Sequence, residues 1–412
     1  MTGAIDWTGR RLKLDVGPVA HGGHCVARHE GRVVFVRHAL PGEVVLAEVT
    51  EDPGKGFCRA DAVEVFTAAE GRVEPPCELA AMSRGRDRCG GCDWQHADPA
   101  LQREMKAAVV REQLQCIAGL DRDVEVRELP GGPLRWRTRV RLSVDREGRP
   151  GFHPHRSHRV LPVVDCPITV RGALDDITDR EWPPGADLEV AADARGQVHA
   201  AQRELGRRRR RGKRPPVVST QVAGSGTAVE QAAGRDWELS AGGFWQVHPE
   251  AADAFAEVVR RMAAVPEGGT AWDLYGGVGL FAAVLAEQAG RDGEVLLVES
   301  SRRAVQDAEV NLRDLPQVLC RVGAVEDVLA GDLPAPDVVV LDPPRKGAGR
   351  AVVESVCARR PRRIVHVACD PAALARDVGL FGEQGYRLAE LEAFDAFPMT
   401  HHVECLALLE AA

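Results

Sequence analysis

The sequence predicts an α/β protein in which a doubly wound parallel sheet follows a small antiparallel barrel and a strand-rich middle section carrying clustered cysteines. Three observations predict it. In the C-terminal part, apolar, β-branched runs end on a polar residue at Asp273, Glu299, Asp342 and Cys369 with helical patterns between them, as expected of strands alternating with crossover helices. The first segment instead alternates apolar and polar residues between Gly/Pro turns. Finally, 412 residues of which 44% are hydrophobic can fill the cores of two or three domains, and no apolar run is long enough to span a membrane.

Taken in order, residues 1–70 contain Arg11-Leu12-Lys13-Leu14-Asp15-Val16, Arg32-Val33-Val34-Phe35-Val36, Glu43-Val44-Val45-Leu46-Ala47-Glu48-Val49 and Cys58-Arg59-Ala60-Asp61-Ala62-Val63-Glu64-Val65. Turns at Gly22-Gly23, Pro41-Gly42 and Pro53-Gly54 separate them, the pattern of an OB-like barrel. Residues 71–240 form the middle section. It holds Cys77, Cys89-Gly90-Gly91-Cys92 and Cys166, and a pair of thiols at this spacing chelates one metal centre readily. On spacing alone zinc and an iron-sulfur cluster stand equal; a disulfide is the poorer reading, because no secretory signal is visible and a reducing cytoplasm is the default. The remaining cysteines, Cys25, Cys58, Cys116, Cys320, Cys357 and Cys405, are read as small core or surface residues. A helix follows within residues 98–120, placed to pack on the C-terminal domain.

The net charge of −8 by itself argues against a nucleic-acid partner. Its distribution argues the other way: Arg135, Arg137, Arg139, Arg141, Arg146, Arg149, Arg156 and Arg159, and then residues 207–211 with Lys213 and Arg214, concentrate positive charge where phosphates can be attracted by counterion release. The 207–211 run taken alone reads more readily as a solvated loop.

Residues 241–412 carry the chemistry. Asp273-Leu274-Tyr275-Gly276-Gly277-Val278-Gly279 is an acid followed by a glycine turn into a helix, and the next strand ends on Glu299 at the interval from which a carboxylate reaches a ribose hydroxyl pair. No G-x-G-x-x-G fingerprint is present, so an adenosine cofactor without phosphates, such as S-adenosylmethionine, fits better than a dinucleotide. Asp342-Pro343-Pro344-Arg345-Lys346-Gly347 forms a stiff loop at a third strand end. Cys369 ends a fourth strand and faces a helix start, where the helix N-terminus favours the thiolate and suits a nucleophile.

These segments, with Phe244-Trp245-Gln246-Val247, Cys369-Asp370-Pro371, Leu374-Ala375-Arg376-Asp377 and Phe397-Pro398-Met399-Thr400-His401-His402-Val403-Glu404, resemble in the same order the motifs of the RNA uracil-C5 methyltransferases, which make 5-methyluridine. The front resembles the TRAM-containing, iron-sulfur branch of that family, which modifies large-subunit (23S) rRNA. The resemblance implies a Rossmann-like methyltransferase domain at 241–412, a TRAM module at 1–70 and an iron-sulfur domain between them. It implies Cys369 as the nucleophile that adds to uracil C6 and Glu404 as the base that removes the C5 proton. It also implies cofactor contacts from Gln246, Tyr275, Gly277, Gly279, Glu299 and Asp342, and a [4Fe-4S] cluster on Cys77, Cys89, Cys92 and Cys166. The expected protein is a cytoplasmic monomer acting on RNA, with no membrane partner.

Departures from the family pattern accompany the matches. Asp370 stands where asparagine is usual and brings an anion that raises a neighbouring thiol's pKa; Ala324 stands where an aspartate often contacts adenine, with Glu326 nearby; His248 replaces an asparagine; and eleven residues separate Cys77 from Cys89 where the family typically has five. Competing readings are a tRNA uracil-C5 methyltransferase, whose members typically lack the barrel and the cluster, and a non-catalytic iron-sulfur RNA-binding protein. An exocyclic-amine methyltransferase also uses Asp-Pro-Pro loops but needs no cysteine.

Overall fold

The computed structural model describes residues 6–205 and 217–412, so the 207–211 run with Lys213 and Arg214 lies outside the described residues. At the front, β1 (Arg11–Asp15), β2 (Val19–Ala20), β3 (His24–His29), β4 (Arg32–Arg37), β5 (Val44–Lys55) and β6 (Phe57–Thr67) hydrogen-bond in the order β1-β5-β6-β4-β3-β2. The alternation works as expected: Leu12, Leu14, Val34, Val36, Val45, Ala47, Cys58 and Ala60 turn to one core while most of their neighbours are half-buried or exposed. One pairing departs from an all-antiparallel sheet, because β4 runs parallel to β6.

After two short 3₁₀ turns, Glu78–Ala80 and Met82–Asp87, the chain enters α1 (Pro99–Gln113). Asp98 starts the helix: its carboxylate accepts from Leu101 N at 2.9 Å, and Pro99 supplies a fixed φ at a position with no helical donor to lose. The helix is a wedge. Met105 and Val109 complete the barrel core, while Ala107, Val110 and Leu114 join the core of the C-terminal sheet.

The chain then forms β7 (Val126–Glu128), β8 (Arg139–Val144), β9 (Pro150–Phe152), β10 (Leu161–Pro162), α2 (Asp175–Thr178), β11 (Asp187–Ala192), β12 (Val198–Leu205) and β13 (Val217–Ala223). Strands β8 to β13 make an antiparallel sheet in the order β10-β9-β8-β11-β12-β13, and β14 (Thr227–Ala232) pairs with β15 (Arg235–Ser240) as a hairpin.

The remainder comprises α3 (Ala251–Ala263), β16 (Thr270–Leu274), α4 (Leu280–Ala289), β17 (Glu294–Glu299), α5 (Arg302–Asn311), β18 (Val318–Val322), α6 (Val325–Leu329), β19 (Val338–Leu341), α7 (Arg350–Cys357), β20 (Arg363–Ala368), α8 (Pro371–Glu383), β21 (Tyr386–Asp395) and β22 (Glu404–Ala411). Its sheet has the order β18-β17-β16-β19-β20-β22-β21-β7. The first strand of the strand-rich middle section, β7, therefore belongs to this C-terminal sheet, pairing parallel with β21. Strands β16 to β20 are parallel, and β22 enters antiparallel between β20 and β21. Successive residues face opposite layers: Val338, Val340, Val365 and Val367 meet α3 and α4, whereas Val339, Leu341 and Ile364 meet α1, α7 and α8. Both faces are covered, which is why these strands read as continuous apolar runs.

Candidate active site

Strand order reverses between β16 and β19, and a crevice of about 1370 Å³ opens at the carboxyl ends of these strands, where open α/β sheets bind ligands. Gln246, Tyr275, Gly277, Glu299, Asp342, Cys369 and Glu404 all line it. Gly279 does not. It caps α4 with φ 97°, and a Cβ there would stand 2.6 Å from Leu312 Cδ1, so this glycine permits helix packing instead of facing the crevice.

The glycine turn is held from below by Asp273. Its buried Oδ2 accepts from Ala282 N at 2.8 Å, its Oδ1 has no partner, and burial pushes the carboxyl up to about 7. A Cβ on Gly276 would lie 2.8 Å from that Oδ2, so only glycine lets the backbone pass. Glu299 closes the turn by accepting from Gly277 N at 3.3 Å and Ser301 N at 2.6 Å. Asp342, next along the edge, is also pushed up to about 7 by burial, with His366 opposing the shift.

Cross-strand register joins the thiol to the second carboxyl. Ala368 lies opposite Cys405 in the antiparallel β20–β22 pair, so the next step of that register sets Cys369 across from Glu404. Burial, then Glu404 and Asp342, push the Cys369 thiol up to about 12, while Arg345 pulls it down. Glu404 is itself raised well above the usual carboxyl range by burial and then by Asp342. This corrects one expectation. The helix N-terminus does not make Cys369 a thiolate in the free protein, because burial and two carboxyls outweigh it. The Asp370 carboxylate is engaged elsewhere: its Oδ1 caps α8 by accepting from Ala373 N at 2.8 Å, and its Oδ2 lies 3.1 Å from His21 Nε2 on the barrel.

The loop 396–403 leading into Glu404 is clamped by groups that the motifs did not identify. Lys106 Nζ, fully buried on α1, bonds Asp395 Oδ1 at 2.5 Å and donates to the Phe397 carbonyl at 3.0 Å. Gln102 Oε1 accepts from Met399 N at 2.7 Å, and its Nε2 donates to the Trp94 and Ala97 carbonyls. Asp93 Oδ2 lies 2.6 Å from His401 Nδ1. A polar pair four residues apart, Gln102 and Lys106, beside the apolar Met105 and Val109 was the available signal on α1. On the other side, His366 Nε2 meets Asp377 Oδ2 at 3.0 Å, and Asp377 also accepts from Ala348 N and Gly349 N, tying the loop after Pro344 to α8.

Cys77, Cys89, Cys92 and Cys166, three of them distant in sequence from one another, line a single cavity of about 180 Å³ together with Leu79, Phe152 and Ile168. Among the described residues no three His, Cys, Asp or Glu side chains converge closely enough to hold one metal ion. Among the described residues the basic block is also not an open cationic stripe: of the eight arginines from Arg135 to Arg159, Arg135, Arg139, Arg141, Arg149, Arg156 and Arg159 are ion-paired with acids such as Asp165, Glu230 and Glu189. Arg137, Arg345 and Lys346 line the crevice without an acidic side chain at ion-pair distance among the described residues.

Comparison with known proteins agrees with this layout. The tRNA (Uracil-5-)-methyltransferase family matches residues 327–412 and the TRAM domain matches residues 8–63. A protein of Streptomyces avermitilis described as an uncharacterized RNA methyltransferase is 45% identical, covering 98% of this chain and 99% of its own. One of Corynebacterium glutamicum with the same description is 36% identical over 96% of each chain. The Pyrococcus abyssi tRNA (uracil-54, C5)-methyltransferase, solved with S-adenosyl-L-homocysteine, superposes with a TM-score of 0.70 at 20% identity over 97% of this chain and 100% of that one, a likeness of fold.

Proposed function

The chain belongs to the TRAM-containing RNA uracil-5-methyltransferase family and is an S-adenosylmethionine-dependent RNA methyltransferase, and from that premise we propose that it methylates uridine C5 through a covalent adduct between Cys369 and C6. The observation that carries the reading is the placement of Cys369 across from Glu404 at the edge of the crevice lined by Asp342 and Gln246. Uracil C5 is a poor nucleophile. Addition of the Cys369 sulfur to C6 places an electron pair on C5, which takes the methyl group from the sulfonium and releases the neutral thioether. Glu404, acting in its carboxylate form, then takes the C5 proton, the C5–C6 double bond re-forms, and the C6–S bond breaks to expel the thiolate, which is reprotonated from solvent. In the free enzyme the thiol is held toward its protonated form, so it gives its proton to solvent before it adds to C6, and Arg345 is the cation that favours this ionisation. The uridine must leave any helical stack for C6 to reach the thiol.

The cofactor contacts in this reading are Glu299 at the ribose and Gln246, Tyr275, Gly277 and Asp342 along the crevice, with Gly279 shaping the turn from behind. The sheet is read as a doubly wound, Rossmann-like domain over 241–412, joined by the TRAM module of 1–70 and the cysteine-bearing section 71–240. Four thiols lining one cavity suit either a [4Fe-4S] cluster or zinc, and the resemblance to the iron-sulfur branch of the family favours the cluster. When bound, such a cluster would tie these distant cysteines together; the reaction above does not pass through it.

Large-subunit rRNA is the proposed substrate, and the protein is read as a cytoplasmic monomer. Transfer RNA remains the second reading, because a tRNA methyltransferase shares the fold over 97% of this chain, too much to leave out the barrel. The barrel therefore does not by itself separate the two RNAs. No helix among the described residues is long and apolar enough to cross a membrane. The test compares variants on isolated rRNA and tRNA by nucleoside mass spectrometry and denaturing gels. Cys369→Ala should give neither methylation nor adduct, whereas Glu404→Gln should accumulate a methylated RNA-protein adduct. Methylation by Cys369→Ala, or normal turnover by Glu404→Gln, would remove the assigned roles.

A further inference from the structure

The barrel reaches the catalytic strand ends through the turn between β2 and β3. Gly22 and Gly23 both have positive φ, Gly23 O accepts from Trp94 Nε1 at 3.2 Å, and a Cβ on Gly23 would press 3.0 Å from His401 Cβ. This close fit brings His21 over the nucleophile loop. Its Nε2 lies 3.1 Å from Asp370 Oδ2, and a small cavity of about 90 Å³ is bounded by His21, Gly22, Cys369, Asp370 and Arg345. The carboxylate of Asp370 is thus fully occupied, one oxygen by the N-terminus of α8 and the other by the barrel.

We propose that His21 is a positioning residue of the methyltransferase: it neutralises the Asp370 carboxylate beside Cys369 and fixes the nucleophile loop, making the barrel part of the active site. The proposal rests on Cys369 as nucleophile and adds to that reading an element from another part of the chain. The charges support the geometry. Asp370 raises His21 above its ordinary value, with burial and Arg376 opposing and Glu112 adding slightly, so the imidazolium is favoured. In return His21 and Arg376 hold Asp370 down against burial. The thiol itself faces Glu404, Asp342 and Arg345. Two anions already oppose its ionisation, so a third, unmasked one would add to them. The pair acts while His21 is charged, below its raised pKa, and is lost as the pH climbs through that value.

The experiment needs no RNA. Alkylation of Cys369 by iodoacetamide is followed by peptide mass spectrometry against pH in the full-length protein. His21→Ala should react about threefold more slowly at neutral pH, equivalent to a rise of about half a pKa unit in the thiol. His21→Ala combined with Asp370→Asn should return to the wild-type rate, because no charge is left to mask. An unchanged profile in His21→Ala, or a slowing that Asp370→Asn does not reverse, overturns the proposal. If His21→Ala fails to fold, His21→Gln, which keeps a donor without the charge, is read in the same way. A role confined to RNA contact would leave alkylation untouched. Retention of methylation by Cys369→Ala would remove the nucleophile reading instead, an outcome distinct from either alkylation result.

Discussion

Replacing Lys106 by methionine should destabilise the protein sharply and disable the loop that delivers Glu404. The ammonium is fully buried and 2.5 Å from Asp395 Oδ1, itself almost fully buried, and it also donates to the Phe397 carbonyl. Methionine fills much of the volume but leaves the Asp395 carboxylate without its cation, and breaking a buried pair from one side costs about 3–5 kcal/mol. At about 2–4 °C per kcal/mol for a unit of roughly this size, the melting temperature should fall by about 6–20 °C. Lys106→Met with Asp395→Leu removes both charges and should regain most of that stability, since apolar replacement of a whole buried pair is often close to neutral. Methylation should stay impaired in the double variant, because the clamp on Phe397 is still missing. Thermal melts, urea titrations and single-turnover methylation separate these effects. A single variant within about 1 kcal/mol of wild type, the range of ordinary surface changes, would refute the reasoning, as would a double variant no more stable than the single.

Gly279→Ala should lower stability by about 1–3 kcal/mol and weaken cofactor binding, because it forces a side chain into left-handed backbone and against Leu312; a melt matching wild type would contradict this. Asp342 is pushed up to about 7, so raising the pH through neutrality should ionise it and favour the cationic sulfonium cofactor over its neutral thioether product. The ratio of the two affinities, measured calorimetrically, should therefore climb with pH in the wild type and stay flat in Asp342→Asn. Anaerobically purified protein should be brown with about four iron atoms per chain, and Cys89→Ser should bleach it. Stoichiometric zinc in a colourless sample would point to the other metal.

How far the sequence reached depended on whether a feature is local or assembled. Strand ends at Asp273, Glu299, Asp342 and Cys369 were readable because buried parallel strands are continuous apolar runs, and the glycine turn was readable because Gly276 passes so close to Asp273 that no side chain fits. The alternation of the first segment likewise placed the barrel strands, since a pleated strand shows its two faces in its composition. Motif order then pointed to the chemistry of Cys369 and Glu404.

Tertiary structure decided the rest. The antiparallel insertion of β22 between β20 and β21 sets Glu404 across from Cys369, a register that depends on sheet order and not on either segment alone. Burial set the charge states: the Asp273 and Asp342 carboxyls and the Cys369 thiol are held toward their neutral forms, opposite to what the helix start suggested for Cys369. The arginines from Arg135 to Arg159 looked like a patch in one dimension, yet acids that include Glu51 and Asp87 arrive from other elements and occupy most of them. Lys106 and His21 act on the site from an α-helical wedge and a barrel turn far away along the chain. Apart from the spacing of Gln102 and Lys106 on α1, no local pattern marks them, because their partners Asp395 and Asp370 are chosen by how the domains pack.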